Sequence, residues 1–150
     1  MAGLIHDIGK VLFINTDPFR YGRAMEESRR LGVSLAFAEL SHFGCDHTHV
    51  GGLLARKWRL GHVLTEVIEM HHDFPETLQG RERLLITISN NLCKGEKIGD
   101  SGNNVIEEMG TELSDSMRLG RGTLEQATDL LSGEIEKADM FLSVFDGGVS

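Results

Sequence analysis

The sequence predicts an all-α fold: a helical bundle forming one domain over residues 1–150. Apolar residues recur at three- and four-residue steps in at least five segments. No stretch sustains the apolar/polar alternation that a half-buried strand requires. Residues that cap or stop helices, among them Gly32, Ser34, Gly44 and Asp46, fall between the periodic segments. With 150 residues, 40% of them hydrophobic, the chain can bury one sizeable core without disulfides.

Taken in order, Leu4, Ile5, Ile8, Val11 and Leu12 predict a first helix carrying His6 and Asp7 side by side. Asn15–Phe19, with Asp17-Pro18 inside it, breaks that helix. A polar helix runs from about Arg20 to Arg30 and stops at Gly32. Ser34 caps a short helix bearing Leu35, Phe37, Leu40 and Phe43, which ends at Gly44. Asp46 caps the next, with Val50, Leu53, Leu54 and Trp58 as its expected buried face. After Gly61, the positions Leu64, Val67, Ile68 and His71 share one helical face, so His71 closes an apolar stripe with His72 beside it, and Pro75 ends the helix. Arg81 to Lys94 forms a further helix, with Leu85, Ile88 and Leu92 on one side. Gly95, Gly99 and Gly102 mark a turn-rich connection without a phosphate-loop pattern, and it reads as a loop and nothing more. The last helix, about 123–146, opens with a Thr123/Gln126 capping box and carries Leu124, Ala127, Leu131, Ile135, Ala138, Leu142 and Phe145 in register.

The charge balance excludes several partners. A net charge of −8 leaves no overall footprint for a nucleic-acid backbone and argues against anionic lipid. No apolar run approaches the roughly 18 residues of a membrane span, and Met1–Ile14 carries His6, Asp7 and Lys10, which a signal-peptide core would not tolerate. Cys45 and Cys93 lie far apart and read as small hydrophobes in a reducing compartment. A cytoplasmic protein, without membrane or nucleic-acid partners, is expected.

The chemistry concentrates in the histidines, of which there are seven. His6-Asp7 sits in GLIHDIGK, Asp46-His47-Thr48-His49 opens a helix, and His71-His72-Asp73 closes one. Imidazole and carboxylate are suitable ligands for borderline divalent metals such as Mn, Fe, Ni and Zn, and helical proteins build metal sites where side chains of several helices meet. His42, His49 and His62 read as caps or solvated side chains. Adjacent histidines at the buried end of a helix are different, because burying both without partners costs several kcal/mol. His6, Asp7, His71 and His72 are expected to converge in one metal or phosphate site, with His47 at its edge.

GLIHDIGK resembles the His-Asp segment of the HD superfamily of metal-dependent phosphohydrolases. FGCDHTHVGGLLARKW followed by LTEVIEMHHD resembles the HDOD branch: an Asp-His pair, a Val-Gly, a helix ending in Trp, then a double His. The likeness runs from Ala2 to about Gly102. HD-GYP phosphodiesterases share the order of elements, but nothing like their GYP segment follows His72. The resemblance implies an HD-superfamily helical bundle, with His6, Asp7, His47, His71 and His72 as metal ligands. Lys10 matches the lysine that those enzymes place near substrate phosphate, which would give Asp7 and Lys10 catalytic roles; as a residue alone, Lys10 reads equally as a solvated helix lysine.

Two departures weaken catalysis. Asn90 stands where the superfamily's last metal-binding Asp is expected, and a neutral amide is the poorer ligand. The superfamily's first His belongs to a helix upstream of the His-Asp motif, where this sequence has no residues. A fragment, a misassigned start or self-association over Leu4, Ile5 and Ile8 would each account for that. The HDOD resemblance implies a bacterial signal-transduction module, with signalling partners or fused regulatory domains and a partial, weakly occupied divalent-metal site. The alternatives are a metal-dependent phosphohydrolase acting on a nucleotide or cyclic dinucleotide, and a pure interaction domain whose histidines only hydrogen-bond in the core.

Overall fold

The structure, a computed structural model, describes residues 1–73, 80–95, 97–103, 105–106 and 121–146; within the last segment the side chains of 121, 123–124, 138–139 and 141–146 lie outside the description, as does Pro75. Every regular element among the described residues is an α-helix: α1 (Ala2–Ile5), α2 (Ile8–Thr16), α3 (Pro18–Leu31), α4 (Leu35–Phe43), α5 (His47–Lys57), α6 (His62–Met70), α7 (Arg81–Gly95) and α8 (Arg121–Asp146). The all-α class read from periodicity is the class the chain adopts. The chain divides into two compact units, Met1–Gly110 and Thr111–Ser150, so α1 to α7 belong to the first and α8 to the second. α8 starts at Arg121, which puts Thr123 inside its first turn. The side-chain part of the expected capping box falls outside the described residues.

Local chemistry sets the boundaries of the first unit. The break between α2 and α3 is a single residue, Asp17, whose side chain accepts from the Arg20 N–H at 3.0 Å while Pro18 takes the first helical position. Gly32 and Gly44 close α3 and α4 in the left-handed conformation, at φ 66° and 75°. The Ser34 hydroxyl accepts from Phe37 N–H and the Asp46 carboxylate from His49 N–H, capping α4 and α5 as their positions predict. One boundary differs. His6 and Asp7 do not lie within a continuous helix; they occupy the turn between α1 and α2, and Asp7 takes the N-cap position of α2.

The helices pack as α2 on α5, α5 on α6, and α3 on α4, with α7 against α6 and α1. Phe13, Tyr21 and Leu35 form a buried cluster, flanked by Met25, Phe43, Cys45 and Val50. The buried faces of three helices are not the ones that hydrophobicity suggests. On α5 the buried residues are His47, Gly51, Gly52 and Ala55, whereas Leu53 and Trp58 are more than half exposed. On α4 they are Leu35, Ala38 and Glu39, with Phe37 and Leu40 outward; on α7 they are Leu84 and Thr87, with Leu85 outward.

The reason on α5 is close approach. A Cβ added at Gly51 would stand 2.8 Å from Ile68 Cγ2 and 3.3 Å from the Gly9 nitrogen, and one added at Gly9 would run into the His47 carbonyl. Small residues let α2, α5 and α6 nearly touch, and that contact brings their polar side chains together. The 97–106 segment also does more than connect. Asn103 is buried and its side-chain oxygen accepts from Leu35 and Val105 N–H groups, at 3.4 and 3.3 Å.

Candidate metal centre

Asp7, from the α1–α2 turn, His47, from the first turn of α5, and His71 and His72, at the end of α6, bring one ligand atom each to within 4.8 Å of one another. Asp7 Oδ1 lies 3.3 Å from His71 Nε2 and 3.5 Å from His47 Nε2, and His47 Nε2 is 2.9 Å from His72 Nε2. His47 and His71 are fully buried.

Asp7, His47 and His71 are each held by a second partner. His71 Nδ1 sits 3.0 Å from the Ile68 carbonyl oxygen, which can only accept, so Nδ1 carries a proton and Nε2 is the nitrogen turned toward Asp7. His47 Nδ1 contacts Glu39 Oε2 at 2.5 Å, which orients its Nε2 the same way. His6 repeats the pattern, with Nδ1 2.9 Å from the Gly3 carbonyl and Nε2 3.4 Å from Asp7 Oδ2. Asp7 Oδ2 accepts from Lys10 Nζ at 2.8 Å, and Lys10 also donates to the Ser101 carbonyl at 3.1 Å.

Two consequences follow. The Nε2 atoms of His6, His47 and His71 all turn toward one carboxylate, and wherever such a nitrogen is a lone pair it repels that acceptor unless a cation lies between them. Asp7 Oδ1 and His71 Nε2 are buried without a hydrogen-bond partner. Tetrahedral coordination at about 2.0–2.2 Å separates ligand atoms by about 3.3–3.6 Å, and the two Asp7 distances fall in that range. The donor set, imidazole nitrogen plus one carboxylate, suits a borderline divalent ion, and the outer partners are the kind that fix metal ligands.

The electrostatics agree. Burial opposes the charge of Asp7, yet the contact with His71 and the Lys10 ammonium hold its carboxyl far below the usual range. Burial pushes His47 well below its ordinary value and lowers His6, so these rings stay neutral and available. Burial pushes Glu39 up to about 7, against the His47 N–H and Lys10, which favour its charge. Tyr21, beside Glu39, is pushed far upward by burial and by that carboxylate's charge.

The expected site is thus redrawn in three places. His47, expected at the edge, lies inside the cluster. His6 contacts Asp7 and stacks edge-on against His71 at 4.8 Å, but stands outside the group of four. Lys10 is not solvated; it is buried and its ammonium donates to Asp7 and to the Ser101 carbonyl. Asn90 is half-buried on α7, lining a small cavity with Cys93, Lys94, Ser101 and Asn103. His42 pairs with Glu27 and His62 lies near Glu66, both away from the cluster. Glu39 is the residue that hydrophobic periodicity missed: it sits one turn after Leu35 on the inner face of α4, where a lone carboxylate calls for a buried partner.

A helical protein with a His/Asp cluster of metal-ligand type is the class that this fold and site define. Residues 1–74 match the sequence model of the HDOD domain. That stretch is an HDOD-domain match, as the Asp-His, Val-Gly and double-His pattern implies. The chain is also similar to an uncharacterized protein of Treponema pallidum (strain Nichols): the two are 22% identical over 89 residues, which is 59% of this chain and 17% of that protein. No solved structure matches the chain.

Proposed function

We propose that this chain is a bacterial, cytoplasmic signal-transduction module of HDOD type that holds a divalent metal ion (Mn, Fe, Ni or Zn) weakly and does not turn over phosphoesters. The observation that carries the metal is the meeting of Asp7 Oδ1 with the Nε2 atoms of His47 and His71, Oδ1 and His71 Nε2 being buried without a hydrogen-bond partner. Asp7, His47, His71 and His72 would hold the ion. When bound, it would supply a fixed positive charge that neutralises Asp7 and ties the α1–α2 turn, α5 and α6 together.

Three features support a role without turnover. Lys10, the one lysine placed to meet a phosphate, is already committed to Asp7 and Ser101. Asn90 replaces a carboxylate where the HD pattern has one. A cavity of about 330 Å³ opens beside His72, and its described lining includes Asp46, Glu69 and Asp73 but no lysine or arginine. Glu69 pairs with Arg56, but Asp46 and Asp73 keep the opening acidic, which disfavours an anionic ester. The output of the module is then contact with signalling partners or fused regulatory domains, or self-association.

Elemental analysis of the purified protein tests the first half, with about one equivalent or less of a divalent metal expected. For the second half, the protein loaded with Mn, Fe or Ni is offered an aryl phosphodiester and cyclic dinucleotides. Metal-dependent turnover that disappears in Asp7→Ala would replace this reading with a phosphohydrolase. Absence of metal, together with no stabilisation by any added metal, would leave the interaction domain.

A further inference from the structure

We infer that Glu39 is the positioning residue of the metal centre: it sets the tautomer and orientation of His47 and so makes that ring a metal ligand. The inference deepens the metal reading above and rests on it for its consequence, though not for its geometry.

Glu39 is fully buried on the inner face of α4, in a fold position that hydrophobic packing alone would give to an aliphatic side chain. Its Oε2 receives two contacts from one residue, the His47 backbone N–H at 2.8 Å and the ring Nδ1 at 2.5 Å. The first fixes where α5 begins, and the second fixes how its first side chain is turned. With Nδ1 pinned to a carboxylate, the ring can rotate no further, and Nε2 is aimed at Asp7 and His72.

A water-exposed histidine would exchange tautomers freely, and a ring turned over would present a carbon where the lone pair is needed. A buried carboxyl oxygen that accepts from the far nitrogen prevents both, and in its ionised form it strengthens the ring as a metal ligand. Asp46, which caps α5 next to His47, directs its Oδ1 to Thr48 and His49, so it does not substitute for Glu39.

The test compares the full-length parent with Glu39→Gln, Glu39→Asp and Glu39→Ala. Two quantities are read: the His47 tautomer from ¹⁵N shifts of metal-free, histidine-labelled protein, and Zn²⁺ affinity by competition with a chromophoric chelator. Circular dichroism checks that each variant folds. Glu39→Gln keeps the shape and an acceptor for Nδ1–H while removing the charge, so it covers the case in which Glu39→Ala fails to fold. In the parent, His47 should be locked with its proton on Nδ1. Glu39→Gln should keep that tautomer and bind Zn²⁺ about 10- to 100-fold more weakly, the usual effect of losing a charged outer partner. Glu39→Asp, whose shorter side chain withdraws from Nδ1, or a folded Glu39→Ala should release the tautomer. Variants that all bind Zn²⁺ as tightly as the parent, or an unchanged tautomer in Glu39→Asp and in a folded Glu39→Ala, would overturn the inference. If the parent binds no Zn²⁺ yet its tautomer is released in Glu39→Asp, the metal reading fails while the positioning role stands.

Discussion

Asp7 Oδ1 and His71 Nε2 face each other at 3.3 Å, each buried without a hydrogen-bond partner, while His71 Nδ1–H donates to the Ile68 carbonyl. Lys10 brings a positive charge to Oδ2 of Asp7, but none lies between Oδ1 and His71 Nε2, and a carboxylate oxygen facing an imidazole lone pair is repelled without one. A divalent ion supplies it, and binding to the folded state alone raises stability by mass action, by about 2.7 kcal/mol at a free concentration 100 times the dissociation constant. Adding Zn²⁺ or Mn²⁺ to chelator-treated protein should therefore raise its unfolding temperature in a concentration-dependent way. The rise should vanish in His71→Ala, and no rise in the parent would count against the metal.

The inward face of α5 gives a second expectation. Ile68, fully buried, meets Gly51 across the α5–α6 contact, whereas Leu53 and Trp58 point outward. Ile68→Ala should cost about 2–5 kcal/mol, and Leu53→Ala or Trp58→Ala should each change stability by less than about 1 kcal/mol. Urea unfolding of the three variants decides it. A large loss at Trp58 with none at Ile68 would return the buried face to the one that hydrophobicity suggests.

That contrast shows what the sequence makes legible. Caps and stops act within a few residues, so Ser34, Gly44 and Asp46 announce α4 and α5 correctly. Histidine pairs at helix ends pointed to Asp7, His71 and His72 before their distances were known. The inward face of a short helix is another matter. It depends on which neighbour approaches most closely, and here the approach selects Gly9, Gly51 and Ala55 over Leu53 and Trp58. A periodicity of large apolar residues cannot register a contact made by hydrogens. Glu39 escaped for the same reason: on α4 the eye follows Phe37 and Leu40, and the buried carboxylate lies off that line. The Lys10–Ser101 bond links residues 91 apart in the chain, and no local pattern anticipates it.

Glycine substitution tests the close crossing directly. Gly9→Ala places a methyl against the His47 backbone, which cannot move without disturbing the first turn of α5. A loss of about 3 kcal/mol or more is expected, together with weaker metal binding. Gly22, inside α3, has open space where its Cβ would be, so Gly22→Ala should gain about 0.5–1 kcal/mol from helix propensity. Paired chemical unfolding of the two variants gives opposite signs if α2 and α5 cross as described, and equal signs if they do not.

Lys10 separates a structural role from a catalytic one. A lysine that waits for substrate phosphate is free in the empty protein, and removing it leaves stability nearly unchanged. Here the ammonium is buried, 2.8 Å from Asp7 Oδ2 and 3.1 Å from the Ser101 carbonyl. Lys10→Met keeps the aliphatic stem but leaves a carboxylate without its cation. Breaking a fully buried pair costs about 3–5 kcal/mol; the Asp7 side chain is 25% exposed, and screening by water brings the expected loss nearer 2–3 kcal/mol. The loss should shrink when Zn²⁺ is added, because the ion at Oδ1 replaces part of the missing positive charge. The measurement is urea unfolding of Lys10→Met and the parent, each with chelator and with metal. A variant as stable as the parent in chelator would put Lys10 back in the solvated or substrate-facing role. A loss that is the same with and without metal would show that the ion and the ammonium do not share Asp7.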